Sequence, residues 1–153
     1  YLLYDYLTEN IHIINNSIRN FGGHGITAQG NLLTINGNTV NSCGGHGIYL
    51  CYDNFGVMCD SNTVFTNALN TTQTFYDIFA NYVRNHTPSN YYIGDIVISN
   101  NKCGKLTTQA NYGSDTMTQP VIVDQNYIKS TFNKSSDTNI FKFGTNWLNF
   151  TKS

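Results

Sequence analysis

The fold is decided by a short stretch that reads LTINGNTV, residues 33–40. Its apolar positions are Leu33, Ile35 and Val40, and Asn38 stands three residues after the second of them. The same spacing, apolar-x-apolar-x-x-Asn-x-apolar or Cys, recurs around five asparagines: Asn16, Asn38, Asn62, Asn101 and Asn126. Subtraction of these numbers gives steps of 22, 24, 39 and 25 residues. A period in the low twenties with alternating apolar residues predicts a solenoid built mainly of strands.

Two other repeat architectures are excluded by residue type and spacing. A leucine-rich repeat requires several leucines per unit, whereas these repeats carry Ile, Val, Thr and Asn. No stretch sustains the i, i+3, i+4, i+7 spacing of an amphipathic helix, while a period of two is plain at Ile96 and Ile98. We therefore expect an all-β chain folded as a parallel β-helix. Its asparagines would stack roughly 4.8 Å apart in a hydrogen-bonded ladder, and we expect them to take the left-handed backbone of each bend.

The repeat resembles the right-handed parallel β-helix superfamily typified by pectate lyases and phage tailspikes, over about residues 10 to 130. The resemblance implies a single-stranded solenoid in one domain, 1–153. We expect five coils followed by a C-terminal aromatic cap, with these approximate bounds: 1–32, 33–56, 57–95 with an insertion, 96–120, 121–139, and cap 140–153. The aromatic end serves equally well as a cap or as a subunit interface. The strand-like start YLLYDY, residues 1–6, leads us to expect further coils upstream in a longer chain.

Composition narrows the classes of partner. Charged residues are 11% of the chain, against roughly 25% in average domains. The net charge of -1 supplies no basic field for nucleic acid. There is no apolar run of about 18 residues, so we expect no membrane span.

The five residues GGHGI occur twice, at 22–26 and at 44–48, which places His24 and His46 one coil apart. We expect the glycines to make the bend into the next strand and the imidazoles to point outward, toward a glycan or a neighbouring subunit. Cys43 and Cys51 flank the second histidine, but CxxC and HxxxH spacings are missing, and we expect neither metal nor cofactor. The other two cysteines, Cys59 and Cys103, fall at apolar positions of the repeat and are expected in the core.

Two carboxylates are weak catalytic candidates. Asp60 and Asp124 share one register position with Asn36 and Ser99, two residues before the ladder asparagine. The coil of Ser99 lies between them, so they are expected roughly 10 Å apart, beyond the roughly 5 to 9.5 Å of glycosidase acid pairs. Turn-capping is the simpler role, and we expect no catalytic site within this stretch.

The 39-residue step between Asn62 and Asn101 carries an aromatic insertion. Aromatic rings beside polar groups suit sugars, whose C–H faces pack on rings while hydroxyls take hydrogen bonds. With the two histidines, the ligand-binding candidates there are Tyr76, Asp77, Tyr82, Arg84, His86, Tyr91 and Tyr92. Residues 75–79 are expected to complete the third coil, so the insertion is either a binding loop or a cover for the core.

The resemblance to tailspikes implies a virion structural protein, a β-helical segment of a phage tailspike or tail fibre that adsorbs to host-surface polysaccharide. Its implied partners are a host surface glycan, two further copies in a homotrimer and other virion tail proteins. The implied location is the virion tail, or alternatively the extracellular space or a cell surface. A pectate-lyase-like depolymerase, acting as hydrolase or lyase, and a bacterial surface or secreted adhesin remain as alternatives.

Overall fold

The computed structural model describes residues 9–51, 54–67, 69, 73–83, 95–111, 120–136 and 141–148. These residues form β-strands and contain no helix, hence none that is long and apolar enough to cross a membrane. The strands are β1 His12–Ile14, β2 Ser17–Arg19, β3 Ile26–Ala28, β4 Thr34–Asn36, β5 Thr39–Asn41, β6 Ile48–Leu50, β7 Met58–Asp60, β8 Thr63–Phe65, β9 Ile78–Val83, β10 Ile96–Ser99, β11 Lys102–Asn111, β12 Val121–Asp124, β13 Tyr127–Asn133, β14 Phe141–Phe143 and β15 Trp147–Leu148.

The strands lie in two sheets, and every strand pairing within the described ranges is parallel. The first sheet has six strands in the order β1-β4-β7-β10-β12-β14. The second has nine, because the long β11 pairs with β8 at Lys102 and Cys103, with β13 from Lys102 to Thr107, and with β9 through Leu106–Asn111. The expected all-β, parallel architecture is confirmed. We call the segments that begin at β1, β4, β7, β10, β12 and β14 repeats one to six.

The core follows from the alternation of buried and outward residues along most of the short strands. Ile35, Cys59, Ile98 and Val123 stand on paired strands in one register, and all four are 0% exposed. Burying a large aliphatic side chain contributes roughly 1.5–3 kcal/mol, so this column is a main source of stability. Burial and the adjacent charge of Asp60 raise the pKa of the Cys59 thiol to about 12. The thiol is therefore neutral and behaves as a small apolar side chain.

The ladder asparagines lie between the two sheets, in register from repeat to repeat. From Asn38 onward, each Oδ1 accepts hydrogen bonds from both the backbone N–H and the Nδ2 of the asparagine one repeat earlier, at 2.9–3.1 Å, and the last acceptor is Asn146. Asn38, Asn62, Asn101 and Asn126 are fully buried, whereas Asn16 is exposed. The remaining Nδ2 proton reaches a strand carbonyl, such as Ile35 O from Asn62 at 2.9 Å. Buried amides without such partners would each cost about 1–3 kcal/mol.

The left-handed backbone does not fall on the ladder asparagines, and this expectation is wrong. It falls on the residue before each of them, with φ between 53° and 65°, at these positions: Asn15, Gly37, Ser61, Asn100 and Gln125. The left-handed residue turns the chain from the first sheet toward the second, and the next side chain then points inward. The asparagine is thus chosen for its hydrogen bonds, while the bend falls to its neighbour.

Residues 141–148, expected to belong to a cap, add strands to both sheets. β14 pairs with β12 and β15 pairs with β13. Phe141 is 1% exposed, and Asn146 Oδ1 accepts from the N–H and Nδ2 of Asn126 at 3.1 and 2.9 Å. The six-stranded sheet therefore takes strands from six successive repeats, one more than the five coils expected.

Candidate binding surface

The doubled glycines of the GGHG motif allow successive repeats to approach closely. A Cβ on Gly44 would lie 2.2 Å from Gly22 O, and one on Gly45 would lie 2.4 Å from His24 Nδ1. A Cβ on Gly22 or Gly23 would meet nothing within 4 Å. The left-handed glycines in the described part of the chain are Gly30, Gly37 and Gly56. Gly44 and Gly45 are therefore needed for close contact between repeats, and none of the motif glycines has a positive φ.

This close approach stacks the two imidazoles. The ring centroids of His24 and His46 are 5.0 Å apart and the planes differ by 15°. His24 Nδ1 accepts the N–H of His46 at 2.8 Å, and His46 Nδ1 accepts the N–H of Tyr76 at 2.9 Å. A ring nitrogen that accepts an N–H carries no proton, so both imidazoles are neutral with the proton on Nε2.

Aromatic rings of the insertion and of the second sheet cover His46. Tyr76 stacks on it at 5.8 Å, and Phe75 meets it edge-on at 5.0 Å. Tyr49 and Phe79, paired in register on β6 and β9, stack on each other at 5.4 Å with an interplanar angle of 5°. We call the following six residues the His–aromatic stack: His24, His46, Tyr49, Phe75, Tyr76 and Phe79.

The electrostatics of the stack favour neutral rings. His46 is 6% exposed. Burial, together with the neighbouring His24, lowers the pKa of His46 to about 4. Burial also lowers the pKa of His24. Both imidazoles are thus uncharged at neutral pH, and they act as acceptors and as ring surfaces.

A metal has no set of ligands within the described ranges, where no three His, Cys, Asp or Glu side chains gather. The two cysteines near the histidines are buried. Cys43 Sγ donates to Asn41 O at 3.6 Å and Cys51 Sγ donates to Ala28 O at 3.2 Å. Their thiols therefore face backbone carbonyls.

The carboxylate of Asp77 fixes the insertion to the neighbouring repeat. Its Oδ1 accepts the N–H and Nδ2 of Asn67, both at 3.0 Å, and its Oδ2 accepts the N–H of Lys105 at 2.9 Å. The residue is 4% exposed. Its carboxylate therefore joins repeats three and four and holds the start of β9 in place.

The outward face of the second sheet carries ring surfaces beside amides. Tyr49 and Phe79 are half-buried there, and Asn81 Nδ2 donates to the Tyr49 hydroxyl at 3.2 Å. Asn81 Oδ1 is buried and accepts no hydrogen bond. Ring faces with an adjacent amide are the combination that binds pyranose rings, since C–H groups pack on aromatics and hydroxyls pair with amides.

The acid row lies on the other sheet, and its register places Asp60, Ser99 and Asp124 on neighbouring strands. Burial raises the pKa of Asp60, but four hydrogen bonds outweigh it and hold the pKa below its ordinary value. The donors are the side chains of Ser99, Asn100, Ser61 and Asn36. Asp124 accepts the N–H of Gln125 at 2.9 Å. The Asp60 carboxylate, whose pKa is held low, accepts hydrogen bonds but is a poor general acid.

Several sequence-predicted binding residues lie outside the described residues: Arg84, His86, Tyr91 and Tyr92. Tyr82 lies in β9, where its backbone pairs with Ala110. The structure brings His24, His46 and Tyr76 together. Sequence reasoning missed Tyr49, which stands between two inward positions of β6 and therefore points outward. It also missed Asn146, although Phe141-x-Phe143-x-x-Asn146-x-Leu148 repeats the spacing of residues 33–40.

The fold and this surface define a class of protein: an all-β chain of stacked parallel strands, tied together by side-chain ladders, with an aromatic outer face. Comparison with protein-family models, curated proteins and solved structures finds no match to this chain.

Proposed function

We propose that this chain is part of a right-handed parallel β-helix of the pectate-lyase-like kind, and that it binds host-surface polysaccharide as a segment of a phage tailspike or tail fibre. The observation that carries the proposal is the outward pair of stacked rings, Tyr49 on Phe79, with the Tyr49 hydroxyl held by the Nδ2 of Asn81. We call Tyr49, Phe79 and Asn81 the ledge. It offers a sugar both a flat apolar face and hydrogen-bonding groups.

The rest of the molecule suits a rigid support for that ledge. Parallel strands in register and a buried amide ladder fix the spacing of outward side chains, and loops or rows on a rigid scaffold are where binding residues concentrate. Low charge and many Asn, Thr and Tyr side chains match a neutral, hydroxyl-rich ligand such as a polysaccharide. In this proposal the protein works in the virion tail, as a homotrimer, beside other tail proteins.

Binding is tested with a double variant of the ledge, Tyr49→Ala with Phe79→Ala, incubated with an array of capsular and lipopolysaccharide-derived glycans. A matched control changes two exposed apolar side chains on the outer face of the other sheet, Met58→Ala with Ile122→Ala, which are 49% and 40% exposed. We expect glycan retention by the wild type and the control, and at least about tenfold weaker retention by the ledge variant, since 1.4 kcal/mol corresponds to a factor of ten.

The same incubation separates the alternatives. Retention without shortening of the glycan supports a receptor-binding segment, whereas shortening indicates a depolymerase. Equal loss of retention in the ledge variant and the control, with circular dichroism unchanged in both, removes the ledge as the binding surface. Absence of retention in the wild type contradicts the proposed function.

A further inference from the structure

We propose that His46 is an acid-sensitive latch, which holds Phe75 and Tyr76 against the repeat stack while neutral and releases them when it is protonated. The inference does not depend on the polysaccharide proposal. It arises from the way in which one imidazole joins two segments that are 30 residues apart in the chain.

The hydrogen bond that His46 Nδ1 accepts requires a neutral His46 ring. His46 Nδ1 accepts the Tyr76 N–H at 2.9 Å, and one repeat earlier His24 Nδ1 accepts the His46 N–H at 2.8 Å. A proton added to the Nδ1 of His46 would face the N–H of Tyr76, so an acceptor–donor pair would become two opposed donors. The hydrogen bond would be lost, and the half-buried N–H of Tyr76 would be left without a partner.

The rings packed around His46 bring no carboxylate to it. The rings that contact His46 come from the preceding bend, from β6, from the segment before β9 and from β9 itself, and they are His24, Tyr49, Phe75, Tyr76 and Phe79. The titratable members of this set are His24 and the phenols of the two tyrosines.

The carboxylate that follows Tyr76 in the chain is also committed elsewhere. Asp77 directs its two oxygens to Asn67 and to the N–H of Lys105. An imidazolium at position 46 would therefore stand against a second imidazole with no counter-ion among these contacts. The pKa of about 4, lowered by burial and by His24, agrees with this geometry.

The pH window follows from linkage between folding and protonation. The folded pKa of about 4 lies below the unfolded value of roughly 6.5, so the released state binds the proton first. The contribution of the latch is therefore complete above about pH 6.5 and is lost progressively as the pH falls toward 4.

The release is local, because the strand that follows has other partners. Ile48 N–H donates to Asp77 O at 2.8 Å, and β9 pairs with both β6 and β11 from Ile78 onward. What opens is the segment before β9, whose Phe75 and Tyr76 rings cover His46. Acid would thus uncover a ring surface beside the His–aromatic stack while the two sheets stay paired.

The test is amide hydrogen exchange across residues 73–77 between pH 7 and pH 4.5, corrected for the intrinsic pH dependence of exchange. In the wild type we expect protection of this segment to fall at least about tenfold on acidification, the free-energy equivalent of one pKa unit. The key variant is His46→Asn, because an asparagine Oδ1 can accept at nearly the position of Nδ1 and does not titrate. We expect its protection to be independent of pH in this window.

The matched control is His12→Asn, an exposed histidine of β1, which should keep the wild-type response. Unchanged wild-type protection from pH 7 to 4.5, or an equal loss in His46→Asn, would overturn the latch. If His46→Asn does not fold, the NMR titration of the wild-type His46 ring decides. Titration near pH 6.5 refutes the proposal, and titration near pH 4 accompanied by loss of the Tyr76 amide protection supports it.

Discussion

The asparagine ladder and the His–aromatic stack both join successive repeats through side-chain hydrogen bonds, but they use different side chains. In both, a side chain of one repeat accepts a backbone N–H of a neighbouring repeat, at 2.9 Å from Asn38 to Asn62 and at 2.8 Å from His46 to His24. The directions are opposite, since the asparagine accepts from the earlier repeat and the histidine from the later one. The ladder runs inside the stack of sheets, whereas the imidazoles stand on the outer side beneath aromatic rings.

Asparagine and histidine differ in what each side chain contributes beyond that shared hydrogen bond. An amide also donates, so each asparagine passes a hydrogen bond to the next and satisfies a strand carbonyl as well. It does not titrate between pH 2 and 12, and the ladder is therefore constant. A neutral imidazole uses Nδ1 only as an acceptor and gains a ring face for stacking. It makes the outer contact sensitive to acid.

The largest expected loss of stability comes from a substitution in the middle of the ladder. Asn62→Ala removes the acceptor for two donors of Asn38 and leaves Ile35 O and the Oδ1 of Asn101 each short of a donor. Because these groups are buried, we expect the free energy of unfolding in urea to fall by about 2–4 kcal/mol. The control is Asn16→Ala, at the exposed first rung, where the loss should stay below about 1 kcal/mol. Equal losses at both positions would contradict a ladder whose strength depends on burial.

A smaller effect on stability is expected at Gly45, where the His24 imidazole lies close to the backbone of the next repeat. Gly45→Ala would place a Cβ 2.4 Å from His24 Nδ1 and 3.1 Å from the carbonyl carbon of Gly23. We expect about 1–3 kcal/mol of destabilisation from this overpacking, measured as the shift of the urea midpoint. Gly23→Ala is the matched control, because it stands at the same place in the first copy of the motif and meets nothing within 4 Å. A midpoint that falls as much in the control would show that the glycines matter for the backbone rather than for contact.

The smallest effect concerns the outer acid row. Asp60→Asn removes a carboxylate whose pKa is held low by four side-chain donors against the opposing effect of burial. A lowered folded pKa gives stability that is present above the ordinary value near 4 and is lost as the pH falls through the folded pKa. We expect the variant to lose less than about 1 kcal/mol at pH 7 and to unfold with less dependence on pH below 4. The wild-type response between pH 6.5 and 4, which belongs to His46, should remain in this variant; its disappearance would assign that window to Asp60.

The repeat spacing predicted the parallel sheets because it records which residues must be buried. Inward positions such as Ile35 and Ile98 recur at a fixed distance, and a period of two cannot be shifted by one residue without exposing them. The same spacing at Asn146 was present but was masked by the aromatic residues around it, which indicate a cap as readily as a strand.

The candidate site was less predictable, since it depends on contacts between segments that are far apart in the chain. The GGHG repeat placed His24 beside His46, but nothing in the spacing indicates that residues 75 and 76 cover them. That arrangement follows from the path of the insertion and from the carboxylate of Asp77, which accepts from repeats three and four.

By itself the sequence determined the repeat, the parallel pairing of strands and the identity of the inward residues, because burial and hydrogen bonding impose a period that the chain must carry. Only the tertiary structure decided that the left-handed residue precedes each ladder asparagine, that the motif glycines serve close contact, and that His46 is enclosed. These depend on distances between repeats, such as the 5.0 Å between two imidazoles, which one-dimensional spacing leaves open. Packing turns two ordinary histidines into neutral acceptors, and their chemistry is a property of the fold.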